Sequence, residues 1–112
     1  MEVVWSDQAR DKLLAVVELI AQDRPVTARR LANRLFERAG ELAAFPELGR
    51  PYDLLPGMGL RLLVEPPYGL IYRVEDTPAQ VLVVALRHQR ESVPHASELL
   101  AAGQGEDEAG PQ

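Results

Sequence analysis

Four side chains between residues 47 and 88 could together cleave a phosphodiester bond without a metal ion. Such cleavage needs a base that takes the 2′-hydroxyl proton of RNA, an acid that protonates the leaving oxygen, and cations that stabilise the phosphorane. His88, with an unperturbed pKa of about 6.5, is the candidate acid/base group. Arg61 and Arg73 are candidate phosphate clamps, because a planar guanidinium matches a phosphate bidentately. Glu47 is a second candidate base.

Each of these residues also has a structural interpretation, and the sequence leaves both interpretations open. Arg73 follows Tyr72 on a predicted strand, where its side chain either faces solvent or pairs with Glu75 or Glu65. His88 ends an apolar predicted strand and can form a local hydrogen bond there. The choice depends on whether the folded sheet brings the candidates together.

A second group of arginines lies on a predicted helix. Arg30, Arg34 and Arg38 are spaced at i, i+4 and i+8, so they line one helix face. Glutamates are interleaved with them, which is typical of a solvated face. The functional alternative is a contact surface for an acidic partner segment or a protein target. We assign the same contact role to two arginines at the end of the last predicted strand, Arg87 and Arg90.

Several classes of site are excluded or not expected. The 112-residue chain has no cysteine, so disulfides, thiolate catalysis and cysteine metal sites are excluded. His88 and His95 have no third ligand near them, and residues 57–59 lack the rest of a phosphate-binding glycine pattern, so we expect no metal and no cofactor. No apolar run approaches the roughly 18 residues of a membrane span, and no signal peptide is visible. We expect a cytoplasmic protein without a membrane partner.

Charge is distributed unevenly along the chain. The net charge is −5, but residues 1–100 hold all 12 basic and 14 of the 17 acidic residues, so their net charge is −2. A near-neutral body is poorly suited to strong non-specific binding of nucleic acid. Residues 101–112 are predicted to be an acidic, disordered tail, following a single domain at residues 1–100 and a possible short helix at 97–102.

The candidate residues depend on elements that the hydrophobic pattern defines. Residues 3–5 are good strand formers, and Ser6 is a plausible N-cap for an amphipathic helix over residues 7–22. Pro25 opens a second helix that Phe45 and Pro46 end. The short joint between the two helices favours an antiparallel hairpin.

The second half of the chain changes to strand patterns. Residues 47–59 form a predicted loop rich in glycine and proline. Three strands follow, at residues 60–65, 70–75 and 81–87, and the short connections favour antiparallel pairing. The sequence therefore predicts an α+β fold of order β-α-α-β-β-β, with a helical hairpin packed on a mainly antiparallel four-stranded sheet.

The order of these elements, together with short sequence motifs at matching positions, resembles the RelE/ParE toxin superfamily over roughly residues 2–90. The matching motifs are Trp5-Ser6, the proline at the helix joint, Leu42-Ala43-Ala44-Phe45-Pro46-Glu47-Leu48-Gly49-Arg50, Gly59-Leu60-Arg61, Tyr68-Gly69-Leu70-Ile71-Tyr72-Arg73-Val74 and Val84-Ala85-Leu86-Arg87-His88-Gln89-Arg90. The resemblance implies the toxin of a type II toxin–antitoxin system, held inactive in a complex with a cognate antitoxin.

The target within this superfamily is the remaining question. RelE-like members cleave messenger RNA on the ribosome and place Arg and His at points similar to Arg61, Arg73 and His88, whereas ParE-like members act on DNA gyrase. Lys12 is the single lysine here, and Gln89 stands near where many nuclease members carry an aromatic residue. These departures favour the gyrase-directed interpretation over the ribosome-dependent endoribonuclease.

Overall fold

The computed structural model describes residues 1–53 and 56–91, in which two helices pack on one sheet. In chain order the elements are β1 (Glu2–Trp5), α1 (Asp7–Ala21), α2 (Pro25–Gly40), a 3₁₀ turn (Glu41–Ala43), β2 (Arg50–Pro51), β3 (Arg61–Glu65), β4 (Tyr68–Asp76) and β5 (Ala79–His88). The predicted α+β class and helical hairpin are confirmed.

The sheet has five strands rather than the predicted four, in the order β1-β5-β4-β3-β2. The additional strand, β2, consists of Arg50 and Pro51, which pair antiparallel with Leu62 and Arg61. Proline donates no backbone hydrogen bond, so it fits a sheet only at an edge such as this one. The loop prediction for residues 47–59 is therefore wrong at these two positions, where glycine and proline masked a short edge strand.

Strand β5 lies inside the sheet, as its apolar sequence predicted, between β1 and β4. It runs parallel to β1 and antiparallel to β4. Both β4 and β5 extend beyond their predicted bounds, because Tyr68 pairs with His88 and Asp76 pairs with Ala79. Only Thr77 and Pro78 connect the two strands.

A β-bulge in β5 changes which side chains face the helices. Ile71 pairs with Ala85 and Tyr72 pairs with Val83, so Val84 is the extra residue. We call the side of the sheet that α1 and α2 cover the helix face, and the other side the open face. Val83 packs on the helix face, whereas both Val84 and Ala85 pack on the open face.

Both faces of the sheet carry a hydrophobic cluster. The larger one lies under the helices, where Leu13, Leu35 and Leu42 are almost completely buried with Tyr72. The smaller cluster on the open face is contacted by Tyr52 and Met58 from the preceding loop. Its buried members are Leu60, Ile71, Leu82 and Val84.

The helix ends follow local chemistry. The Ser6 hydroxyl accepts a hydrogen bond from the Ala9 backbone at 3.1 Å and donates one to the Val84 carbonyl at 3.3 Å, so the predicted cap also joins α1 to the sheet. Helix α2 begins at Pro25 as predicted but ends at Gly40, before the predicted stop at residues 45–46. Glycine is a poor helix former, and the 3₁₀ turn that follows satisfies carbonyls at the helix end.

Residues 92–112 lie outside the described residues, and so do the predicted helix at 97–102 and the acidic tail. Within residues 1–53 and 56–91, no helix is both long and apolar enough to span a bilayer.

Candidate functional site

Arg61 holds a loop against the sheet. Its Nη1 donates to the Gly49 carbonyl at 2.6 Å and lies 3.4 Å from the Glu47 carbonyl. The neighbouring Tyr72 hydroxyl accepts from the Gly49 N–H at 2.9 Å and donates to the Pro46 carbonyl at 2.8 Å. Burial raises the pKa of Tyr72, so its hydroxyl remains a donor. The guanidinium predicted to clamp a phosphate is bonded to backbone carbonyls instead.

Arg73 pairs with a carboxylate on its own strand. Its Nε and Nη2 donate to Oε2 of Glu75 at 3.1 and 2.8 Å, which is one of the two pairings considered from the sequence. Gln80 donates to the other Glu75 oxygen at 2.8 Å. Burial alone would raise the pKa of Glu75, but the hydrogen bonds from Arg73 and Gln80 outweigh it and lower that pKa. Two of the three Arg73 guanidinium nitrogens are therefore bonded to Glu75.

His88 lies at the far end of β5 in a local hydrogen-bonded arrangement. Its Nδ1 accepts from the Arg90 backbone N–H at 3.0 Å, and its ring meets the Tyr68 ring edge-on at 5.1 Å. The His88 backbone N–H donates to Glu91 at 2.9 Å, and Glu91 also accepts from Lys12 of α1 at 2.8 Å. The local hydrogen bond anticipated from the sequence is therefore present.

The four candidate nuclease residues do not converge. Arg61 pairs with Tyr72 and His88 with Tyr68, at positions four residues apart on β4. At about 3.3 Å of rise per residue, the two sites are separated by roughly 13 Å along the strand. Arg73 follows Tyr72 and so projects from the open face, opposite Arg61. The side chain of Glu47, the second candidate base, is exposed.

The predicted arginine stripe on α2 is divided. Arg34 and Arg38 both reach Glu65 of β3, with N–O distances of 2.9 and 3.4 Å. Arg38 also pairs with Glu41 at 2.7 Å. Arg30 is exposed at the start of the stripe. Two of the three side chains therefore tie α2 to the sheet.

A groove of about 280 Å³ lies on the open face between β3 and β5. Arg87 reaches it from β5, and its Nη2 donates to the Glu91 carbonyl at 2.6 Å. The Nε of Arg87 is buried and has no hydrogen-bond partner among the described residues. The other lining residues are Arg50, Leu62, Val64, Pro67, Tyr68, Gly69 and Gln89.

The sequence indicated part of this groove and missed the rest. Arg87 was predicted from the sequence as a contact residue, and it lines this groove. Arg90, the second arginine predicted at the end of the last strand, is exposed beside His88. Gly69 in the middle of a strand was the available signal, because an interior glycine often marks a close approach of another group. No cluster of three or more potential metal ligands occurs in residues 1–53 and 56–91.

Comparison with known proteins identifies the family. Residues 3–93 match the family described as the ParE toxin of type II toxin–antitoxin systems, parDE. This chain belongs to that family. It is 39% identical over 87 residues to Toxin RelE2 of Caulobacter vibrioides, covering 78% of this chain and 93% of that toxin. The predicted membership of the RelE/ParE superfamily is confirmed.

Two solved structures share the fold of this ParE-family chain. A chromosomal ParDE system from P. aeruginosa aligns with a TM-score of 0.65 at 22% identity, covering 79% of this chain and 95% of that one. The RelBE2 toxin–antitoxin complex of Mycobacterium tuberculosis aligns with a TM-score of 0.56 at 24% identity, covering 78% and 95%. The two come from differently named systems, so the fold is common to both.

Proposed function

We propose that this ParE-family toxin arrests bacterial growth by binding and inhibiting DNA gyrase, and that a cognate antitoxin neutralises it by direct binding. The separation of Arg61, Arg73 and His88 is the observation that carries the proposal. It favours a toxin that acts through a binding surface over one that acts through a catalytic centre.

These three candidate nuclease residues are too far apart to act on one phosphate, and their side chains are already bonded within the protein. General acid–base catalysis needs its groups within about 2.6–3.2 Å of the protons that they move. Here the candidate acid/base His88 lies four positions, or roughly 13 Å, along β4 from Arg61. Arg73 donates from Nε and Nη2 to one Glu75 oxygen on the other face. Recruiting these groups to one phosphate would require breaking the bonds that hold the Pro46–Gly49 segment and the Arg73–Glu75 pair.

A ribosome-dependent mRNA endoribonuclease is the second candidate, because the curated relative at 39% identity carries the name Toxin RelE2. In that function His88 would be the acid/base group and Tyr68 its ring contact. Burial and the nearby Glu91 raise the pKa of Tyr68, so that tyrosine is a poor base. This candidate requires mRNA cleavage to depend on His88.

The deciding experiment is supercoiling of relaxed plasmid by purified gyrase, with and without the toxin. We expect inhibition that the antitoxin relieves. His88→Ala and Arg73→Ala should keep both the inhibition and the growth arrest, with circular dichroism checking that each variant is folded. No inhibition at a toxin excess that still binds antitoxin, together with mRNA cleavage abolished by His88→Ala, would replace this proposal with the nuclease.

The remaining parts of the proposal concern organisation. We propose that the toxin acts in the cytoplasm as a single domain over residues 1–100, in a hetero-oligomer with the antitoxin. Within the acidic tail, residues 103–112 are proposed to be dispensable for antitoxin binding. A chain shortened to residue 102 should bind the antitoxin as the full chain does, and loss of binding would refute that assignment.

A further inference from the structure

We propose that the open-face groove binds an acidic and partly apolar segment of the antitoxin, one of whose carboxylates pairs with Arg87. The inference rests on the antitoxin binding in the proposed function and names the surface and the partner's chemistry. It does not depend on whether gyrase is the target.

The Arg87 guanidinium is only partly hydrogen-bonded within the part of the chain that the structure describes. Its Nη2 is bonded to the Glu91 carbonyl, while its buried Nε–H has no partner within residues 1–53 and 56–91. Most buried N–H groups in proteins are hydrogen-bonded, so an unpaired one needs an explanation. A carboxylate presents two acceptor oxygens to a guanidinium and would supply the missing bond.

The nearest carboxylate of this chain does not supply that bond. Glu91 is close enough to Arg87 for the arginine to contribute to lowering its pKa. Its oxygens are nevertheless bonded to the Lys12 ammonium and to the His88 backbone N–H. The buried Arg87 Nε–H is therefore left without an acceptor within residues 1–53 and 56–91.

The groove combines positive charge with apolar surface. Its lining holds two arginines, Arg50 and Arg87, and no carboxylate, although the body of the protein is slightly acidic overall. Leu62, Val64 and Pro67 supply the apolar part, and the Val64 side chain is 45% exposed. This local positive charge beside apolar surface complements a segment that alternates acidic and apolar side chains.

The floor of the groove explains how a segment could approach. Gly69 has no side chain, and a Cβ added there would lie 2.9 Å from Cδ1 of Leu62. A larger residue would therefore take up space between β3 and β5. A peptide segment docked on such a surface gains affinity from apolar contact together with a charge-assisted hydrogen bond.

The test measures affinity of the full-length toxin for the purified antitoxin by calorimetry. Arg87→Gln should weaken binding about 30-fold or more, because it leaves the partner's carboxylate unpaired. Arg29→Gln is the matched control, since it removes the same charge from the exposed surface of α2 and should change affinity less than about threefold. Gly69→Ala should also weaken antitoxin binding, because the added methyl group crowds Leu62 in the groove.

The outcomes separate this inference from the others. Equal affinities for Arg87→Gln and Arg29→Gln would overturn it, provided that thermal unfolding shows both variants folded. A change in self-association with antitoxin affinity unmoved would assign the groove to a second copy and would also overturn it. Loss of antitoxin affinity in Arg87→Gln supports the inference even if the wild-type toxin fails to inhibit gyrase.

Discussion

The hydroxyl of Tyr72 accepts a hydrogen bond from the Gly49 backbone N–H at 2.9 Å, across 23 residues of sequence. The same hydroxyl donates to the Pro46 carbonyl at 2.8 Å, so one buried side chain fixes both ends of a four-residue segment. Arg61 reinforces the segment from β3. The connection from the helices to the sheet is therefore anchored by side chains rather than by regular secondary structure.

Replacing Tyr72 with Phe should lower the free energy of unfolding by about 1–3 kcal/mol, because a buried Gly49 N–H loses its acceptor. Urea titration followed by circular dichroism measures the change. Tyr52→Phe is the control, since Tyr52 is only partly buried on the open face, and it should change stability by less than about 0.5 kcal/mol. Equal losses for the two variants would contradict the assigned role of the hydroxyl.

Gly49→Ala should destabilise the protein more than Gly69→Ala. A Cβ at Gly49 would meet the Leu62 carbonyl and Cε1 of Tyr72, each at 2.8 Å, whereas one at Gly69 would meet only the flexible Leu62 side chain at 2.9 Å. Crowding against backbone and a fixed ring should cost about 1–3 kcal/mol. The midpoints of thermal unfolding rank the two variants, and the reverse order would refute the packing described here.

Stability should fall as pH decreases below the ordinary Glu value of 4.5, in part through Glu75. The pKa of Glu75 is lower in the folded protein than in the unfolded chain, so the unfolded chain takes up a proton first as the pH falls. The stabilisation that Glu75 contributes above pH 4.5 is therefore lost as the pH falls through its folded-state pKa. Glu91 contributes in the same direction through Lys12. Urea unfolding between pH 3 and 7, the range around these ordinary values, should show a shallower pH dependence for Glu75→Gln. An unchanged slope would show that Glu75 is not linked to folding.

Glu65→Gln should destabilise the protein by about 1–2 kcal/mol, since Glu65 is largely covered and forms ion pairs with both Arg34 and Arg38. Arg10→Gln breaks an exposed pair with Asp7 and should cost no more than about 0.5 kcal/mol. Repeating both measurements at high salt should leave the Glu65 effect mostly intact, because partly buried pairs are screened less. If Glu65→Gln destabilised the protein as little as Arg10→Gln, Arg34 and Arg38 would belong to a solvated helix face and would not anchor α2 to the sheet.

Much of the fold followed from patterns that act locally. The Ser6 cap, Pro25 at the start of α2 and the apolar run of β5 each express a preference of a few neighbouring residues, and each was predicted correctly. Strand β2 was missed because Arg50 and Pro51 become a strand only through pairing with β3. Its formation depends on a partner 10 or more residues away, which no local pattern contains.

The candidate site was less predictable, because side-chain direction depends on the register of the sheet. The sequence left open whether Arg61, Arg73 and His88 meet at one site or have separate structural roles. Arg73 follows Tyr72 onto the opposite face, and the four-residue separation on β4 keeps Arg61 from His88. The partners of these residues were partly visible in the sequence, as with Arg73 and Glu75. Only the folded structure shows that Arg73 pairs with Glu75 and not with Glu65.

The parallel pairing of β1 with β5 has a consequence for synthesis of the toxin. Residues 2–5 pair with residues 80–83, so the first strand made must wait for the last one described. Translation proceeds from the N-terminus at about 5–20 residues per second, so β1 and the helical hairpin emerge seconds before their strand partner. A nascent chain that stops before β5 lacks the strand that lies between β1 and β4, so its sheet cannot form completely. A prematurely terminated product is therefore expected to be a substrate for proteolysis rather than an active toxin.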